Sequence, residues 1–132
     1  PNTLEALLRV PGIGHYGARA ILSFAHGLAA AVVDSNVQRI LERVFHKSLE
    51  RKTSLGLFQE ISDKLLPRRN HRKFNFAMLD LGALVCRPVR PLCDKCPLQT
   101  VCDYREEVLS SQTRAKCQGA LAGCPEEDGW TT

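Results

Sequence analysis

Apolar residues recur along most of this chain at the spacing of helix faces. In three long segments they lie three or four residues apart, which predicts three amphipathic helices. The first follows Asp34, the second ends at Pro67 and the third runs into Cys86. Their apolar positions are Val37, Ile40, Leu41, Val44 and Phe45, then Leu55, Phe58, Ile61 and Leu65, then Phe74, Ala77, Met78, Leu81 and Leu84. No segment alternates as a strand does, so the pattern predicts an all-α fold.

The two ends of the chain differ from this regular middle. At the start, "NTLEALLRV" and "HYGARAILSFAHG" each fit a helix, with Asn2 as the expected cap of the first, and "PGIG" separates them as a tight hairpin. "LAAAVV", which follows, is too short to classify by period. After Glu107 the sequence loses its period and gains Gly, Ser and Thr, which predicts an irregular, disordered tail over residues 108–132.

Composition narrows the class of protein. A length of 132 residues suits one compact domain, and the absence of a long apolar run predicts no membrane span and no signal peptide. We therefore expect an intracellular protein, and the opening at Pro1 suggests a fragment. The net charge of +4, with its basic excess in residues 1–109, is compatible with a polyanion partner and equally with ordinary solvated charges.

Four cysteines lie close together in "CRPVRPLCDKCPLQTVC", residues 86–102. In a reducing compartment such clusters are more often metal ligands than disulfides. Their C-x6-C-x2-C-x5-C spacing holds one close pair with single cysteines on either side, which favours an iron–sulfur cluster slightly over a zinc ion. Cys117 and Cys124 lie outside this pattern and have no predicted role.

Three further features each have a functional and an ordinary interpretation. Arg87, Arg90 and Lys95 between the cysteines could face phosphates or simply be solvated. The two glycines of "PGIG" leave backbone N–H groups open to a phosphate, or merely connect two helices. Asp34 is placed to cap a helix, or to stabilise positive charge developing on a deoxyribose.

The order of these features resembles a known family. "VPGIGHYGARAIL", "VVDSNVQRIL", "FNFAMLDLGALVC" and "CPLQTVC" are similar to segments of the helix-hairpin-helix DNA glycosylases of the endonuclease III superfamily, and most of all to the adenine glycosylase branch, the MutY type. The resemblance covers residues 4–104. It implies the C-terminal part of that fold and an N-terminal half that lies outside this chain.

The resemblance also assigns roles to residues. It implies a phosphate-binding hairpin, a catalytic Asp34 and a loop whose basic residues face DNA. The hairpin comprises Gly12, Ile13 and Gly14; the basic residues are Arg87, Arg90 and Lys95; and the expected [4Fe–4S] ligands are Cys86, Cys93, Cys96 and Cys102. Three regions follow: residues 1–28 as the hairpin end of a helical barrel, 29–107 as a cluster-bearing helical domain, and 108–132 as the tail.

Tyr16 refines the expected chemistry. Strand-nicking members of the family carry a lysine at this position for a Schiff base, which tyrosine cannot form. The resemblance therefore implies a monofunctional glycosylase of base excision repair, acting as a monomer on mismatched or damaged double-stranded DNA, in the cytoplasm at the nucleoid. The expected target is adenine opposite 8-oxoguanine or G. The alternatives are a thymine glycosylase for T:G mismatches and a DNA-binding iron–sulfur module without catalysis.

Overall fold

The computed structural model describes residues 1–49 and 54–119, together with the side chains of these residues up to 111, and within these ranges the chain is helical. This confirms the predicted all-α class. The α-helices are α1 (Leu4–Leu8), α2 (His15–Ala20), α3 (Ser35–Val44), α4 (Leu55–Leu65), α5 (His71–Asp80) and α6 (Asp103–Gly119). Short π-helical turns extend α2 over Ile21–Ala25 and α5 over Leu81–Val85, and a 3-10 turn covers Cys93–Lys95.

The first two helices form a hairpin around a small core. Thr3, rather than the expected Asn2, caps α1, because its hydroxyl oxygen accepts from the Ala6 N–H at 3.3 Å. The two helices contact each other through their apolar faces, and the buried residues of this cluster are Leu7, Ala18, Leu22 and Ala30. The hairpin tip is thereby left at the surface.

A second core joins α3 to α4 and α5. The predicted stripe of α3 buries Val37, Ile40 and Leu41, and Phe58 of α4 is fully buried against it. Helix α4 ends at Leu65 because Leu66, which precedes Pro67, adopts the extended conformation that proline imposes on its predecessor. The three helices predicted from periodicity are confirmed, but Leu55, Leu65 and Leu84 of the predicted apolar stripes are exposed.

The segment between these cores is fixed by one buried amide. Residues 30–32 have no regular secondary structure but are buried, and they lead to Asp34. The Asn75 side chain donates to the Ala30 carbonyl and the Ser23 hydroxyl, both at 2.8 Å, and accepts from the Val32 N–H at 3.2 Å. Because an unpaired buried amide is costly, these three bonds hold the start of α3 in place.

The expectation of an irregular tail from residue 108 was wrong as far as residue 119. Helix α6 continues to Gly119, and Ser110 and Ser111 donate their hydroxyls to the carbonyls of Glu106 and Glu107 at 2.9 Å. Glu, Gln, Lys, Arg and Ala are strong helix formers, so local propensity sustains a helix that has no apolar stripe to mark it. Residues 120–132 lie outside the described residues.

The cysteine segment lacks a hydrophobic core of its own. Among residues 83–111 none is classed as buried. Its order depends instead on polar contacts with α3. None of the described helices is long and apolar enough to cross a membrane.

Candidate functional site

Asp34 is the N-cap of α3, and both oxygens of its carboxylate are engaged. Oδ1 accepts from the Val37 N–H at 2.8 Å, and Oδ2 accepts from the Asn36 side-chain amide at 3.0 Å. The side chain is partly buried. Two hydrogen-bond donors and the positive end of the ten-residue α3 therefore hold the Asp34 carboxylate in place, and it remains partly exposed.

A chain of hydrogen bonds links Asp34 to the cysteine loop. The carbonyl oxygen of the Asn36 side chain accepts from Arg39 Nη2 at 2.8 Å. Arg39 also donates to the Gly82 carbonyl at 2.7 Å and, through Nε, to the Cys86 carbonyl at 2.9 Å. The guanidinium thus connects the start of α3 with the end of α5 and its first cysteine.

Arg43, one turn further along α3, forms hydrogen bonds with the beginning of the loop. Its Nη1 donates to the Arg87 carbonyl at 2.8 Å and lies 3.3 Å from Cys86 Sγ, while Nη2 donates to the Pro88 carbonyl at 3.1 Å. Its guanidinium carbon lies 4.9 Å from the centre of the Tyr104 ring. One cation thus supplies donors to the loop backbone and positive charge beside a cysteine sulfur.

The four loop cysteines line a common cavity. Cys86, Cys93, Cys96 and Cys102 are all free thiols of intermediate exposure, and Arg43 and Tyr104 contribute to the same wall. Burial raises the pKa of the Cys93 thiol, and the other three cysteines raise it further, whereas Arg43 lowers it. Across the described ranges no three His, Cys, Asp or Glu side chains meet the geometry of a site for one metal ion.

The three basic residues predicted to face DNA differ in their surroundings. Arg90 and Lys95 are exposed, and Arg90 adopts a left-handed backbone conformation with φ of 52°. Arg87 is partly buried and donates to the Arg90 carbonyl at 3.1 Å, so its guanidinium closes the loop from within. Arg90 and Lys95 are therefore the two that present charge to the surroundings.

The predicted hairpin connects α1 to α2 through exposed residues. Gly12 has a φ of 85°, which favours glycine, and both Gly12 and Gly14 are exposed. Ile13 packs against the first core and anchors the tip. Tyr16 is 51% exposed and lines an open cleft that also includes Val33, the neighbour of Asp34. The cleft lining therefore includes Tyr16 and reaches Val33, but it does not include Asp34 itself.

Gly82 permits the close approach of α3 to the end of α5. A Cβ atom built at Gly82 would lie 2.5 Å from Asn36 Cβ and 3.2 Å from its backbone. We expect Gly82→Ala to lower the free energy of unfolding by about 1–3 kcal/mol, because the packed helix must shift. Urea denaturation of the two proteins measures this loss.

The same substitution at Gly56 provides the control. A Cβ there meets only the Ser54 hydroxyl at an ordinary 3.7 Å, and Gly56 is exposed in the first turn of α4. Gly56→Ala should therefore stabilise the protein by about 0.5–1 kcal/mol. Equal effects of the two substitutions would contradict the tight contact at Gly82.

The sequence interpretation did not single out Asn36, Arg39, Arg43, Asn75 or Gly82. A partial signal existed for two of them, since Arg39 and Arg43 are four residues apart on one face of a helix whose other face is apolar. The partners of these two arginines in the cysteine loop lie more than 40 residues away in sequence, so those contacts depend on tertiary packing.

Comparisons with known proteins place these features in context. No family model matches the chain. It is 41% identical over 133 aligned residues to the adenine DNA glycosylase of Homo sapiens, an alignment that covers 96% of this chain and 23% of that protein. A thermostable thymine-DNA glycosylase superposes with a TM-score of 0.72 at 33% identity, covering 81% of this chain and 50% of that one.

A third similarity is to endonuclease III trapped in a covalent complex with DNA. It superposes with a TM-score of 0.71 at 25% identity, covering 83% of this chain and 50% of that one. The chain thus spans half or less of the length of each of these relatives.

Proposed function

Since the chain belongs to the helix-hairpin-helix DNA glycosylases of the endonuclease III superfamily, we propose that it serves in a monofunctional glycosylase of base excision repair. The reaction is hydrolysis of the N-glycosidic bond of a mispaired base. The bond between the base and C1′ breaks, the oxygen of a water molecule bonds to C1′, and the base leaves with a proton.

Asp34 carries this proposal. Its carboxylate is held by the Val37 N–H and the Asn36 amide and remains partly exposed. A fixed carboxylate beside the sugar would stabilise the positive charge that develops on the deoxyribose as the base departs. It could also orient the water that attacks C1′. Tyr16 offers no amine, so no Schiff base with the sugar forms and strand cleavage is not expected.

The hairpin and the cysteine loop are proposed to hold the DNA backbone. Gly12 and Gly14 are exposed and carry no side chain that would keep a phosphate from their backbone, while the Ile13 N–H donates to the Val10 carbonyl at 3.1 Å and shapes the turn. Arg90 and Lys95 supply exposed positive charge. Contacts of this kind position a duplex without reading its sequence. Arg87, which donates within the loop, would act by shaping it.

We propose that Cys86, Cys93, Cys96 and Cys102 hold a [4Fe–4S] cluster. Four thiols around one cavity suit a cube with four iron atoms, whereas a single zinc would draw all four sulfurs to within about 2.3 Å of one point. The bound cluster would cross-link a loop that has no buried side chains. Arg43, at 3.3 Å from Cys86 Sγ, would stabilise the negative charge of the thiolate ligands.

The proposed target base is adenine opposite 8-oxoguanine or G. Adenine DNA glycosylases recur among the relatives, with 41% identity for the human protein and 38% for that of Mus musculus. A thymine/uracil-DNA glycosylase of Methanothermobacter thermautotrophicus is 34% identical, which makes thymine opposite G the second candidate.

A panel of duplexes tests the function and the base together. End-labelled duplexes with A opposite 8-oxoguanine, A opposite G, or T opposite G are incubated with the protein and then treated with alkali to break abasic sites. We expect cleavage at adenine, and none before alkali. Cleavage confined to T opposite G would reassign the target base. A brown protein that binds these duplexes without cleaving any of them would instead be a DNA-binding module.

A further inference from the structure

The connection between α4 and α5 carries a dense positive charge that the proposed reaction does not use. We call it the basic turn, residues 67–73, with the sequence PRRNHRK. Its four cations, Arg68, Arg69, Arg72 and Lys73, are all exposed. Within the part of the chain that the structure describes, none of them forms a salt bridge or a side-chain hydrogen bond.

The basic turn is held in a defined shape. Asn70 adopts a left-handed conformation with φ of 60°, which ends the turn and begins α5. His71 Nε2 lies 2.8 Å from the Gly27 carbonyl, which ties this end of α5 to the end of the helical hairpin. The four cations therefore project from an anchored segment.

An aromatic surface adjoins the cations. Phe76 stacks on Phe24 with ring centres 4.4 Å apart and an angle of 25° between the rings. Phe76 is nevertheless 49% exposed. It follows Arg72 by four residues and Lys73 by three on α5, so its ring and their charges lie on neighbouring positions of one helix face.

The basic turn lies away from the proposed DNA-binding elements. Because His71 contacts Gly27, the basic turn lies beside the C-terminal end of the π-helical turn that extends α2. The hairpin lies at the other end of α2, roughly 16 Å away at about 1.5 Å per residue. The basic turn is also at the opposite end of α5 from Cys86, roughly 22 Å away by the same measure.

We propose that the basic turn and Phe76 form a second nucleic-acid site, specific for a single strand. Four unpaired cations within six residues match successive phosphates, and a half-exposed aromatic ring beside them offers a surface on which an unpaired base can stack. A duplex would satisfy the cations and leave the ring unused, because its bases are already stacked and paired. The site does not involve Asp34 or the hairpin.

The test measures the binding of a labelled oligothymidylate by fluorescence anisotropy over a series of salt concentrations. The variant with Arg68→Gln, Arg69→Gln, Arg72→Gln and Lys73→Gln should bind more weakly. If all four cations contact phosphates, the slope of log K against log salt should also fall by about 3, at about 0.7 per contact. Phe76→Leu, which keeps an apolar side chain against Phe24, should reduce affinity about fivefold or more by removing the stacking surface.

Matched variants and competitors decide the outcome. Lys47→Gln removes an exposed cation outside the basic turn, one that pairs with Glu106, and should leave binding of the single strand and its salt slope unchanged. Unlabelled duplex should displace the labelled strand only at concentrations about tenfold or more above those of unlabelled oligothymidylate, because it cannot stack a base on Phe76. An unchanged slope in the four-residue variant, or displacement of the strand by duplex as readily as by oligothymidylate, would overturn the proposal. Displacement by polyglutamate at an equal concentration of charges would assign the surface to an acidic protein instead.

Discussion

Replacing Asp34 with Asn is expected to reduce base release by about 10²-fold or more, the usual cost of removing one preorganised electrostatic group from a reacting centre. The amide keeps the size of the side chain and can still accept from the Val37 N–H, so α3 retains its cap. What is lost is the negative charge and the bond accepted from Asn36. Single-turnover cleavage of the best duplex of the panel measures the effect.

Asp80→Asn is the matched control, since it removes an equal charge from an exposed position on α5. It should release base at the rate of the unmodified protein. The affinity of Asp34→Asn for the same duplex should change little, because the hairpin and the loop are untouched. Full activity of Asp34→Asn would remove the aspartate from the reaction, and a parallel loss of affinity would indicate a role in binding.

Cys96→Ser is expected to cost the protein most of its iron, its brown colour and the order of residues 86–102. Metal binding to such a loop is coupled to folding, because the loop buries no apolar side chains that could hold it otherwise. Trypsin, which cuts after Arg and Lys except before Pro, should then cleave after Lys95 faster than in the unmodified protein, whereas Arg87 and Arg90 are each followed by Pro. Iron analysis, the visible spectrum and the rate of proteolysis give three separate measures.

Cys117→Ser controls for the loss of a thiol outside the loop and should retain iron and resistance to trypsin. If the unmodified protein is colourless and holds one zinc per chain, the cluster proposal fails although a metal site remains. If Cys96→Ser keeps its iron and its protected loop, Cys96 is not a ligand.

The amino-acid sequence by itself determined the helices and the local chemistry of the candidate site. The apolar stripes of α3, α4 and α5 follow from a 3.6-residue period, and Asp34 as a helix cap follows from its place before that period begins. The four-cysteine loop was likewise evident from spacing alone, because these signals involve residues close together in the chain. Helix α6 was not predicted, since helix propensity without an apolar stripe gives only a weak signal.

Tertiary structure alone decided how these local features are joined. Arg39 connects the surroundings of Asp34 to Cys86, 47 residues further on, and Arg43 reaches Arg87 across 44 residues. Both contacts require α5 to approach α3 as closely as Gly82 allows. Arg87 was expected to face DNA, yet its guanidinium bonds within the loop. Periodicity records which face of a helix is buried, whereas the partner of each polar side chain is set only when the helices pack.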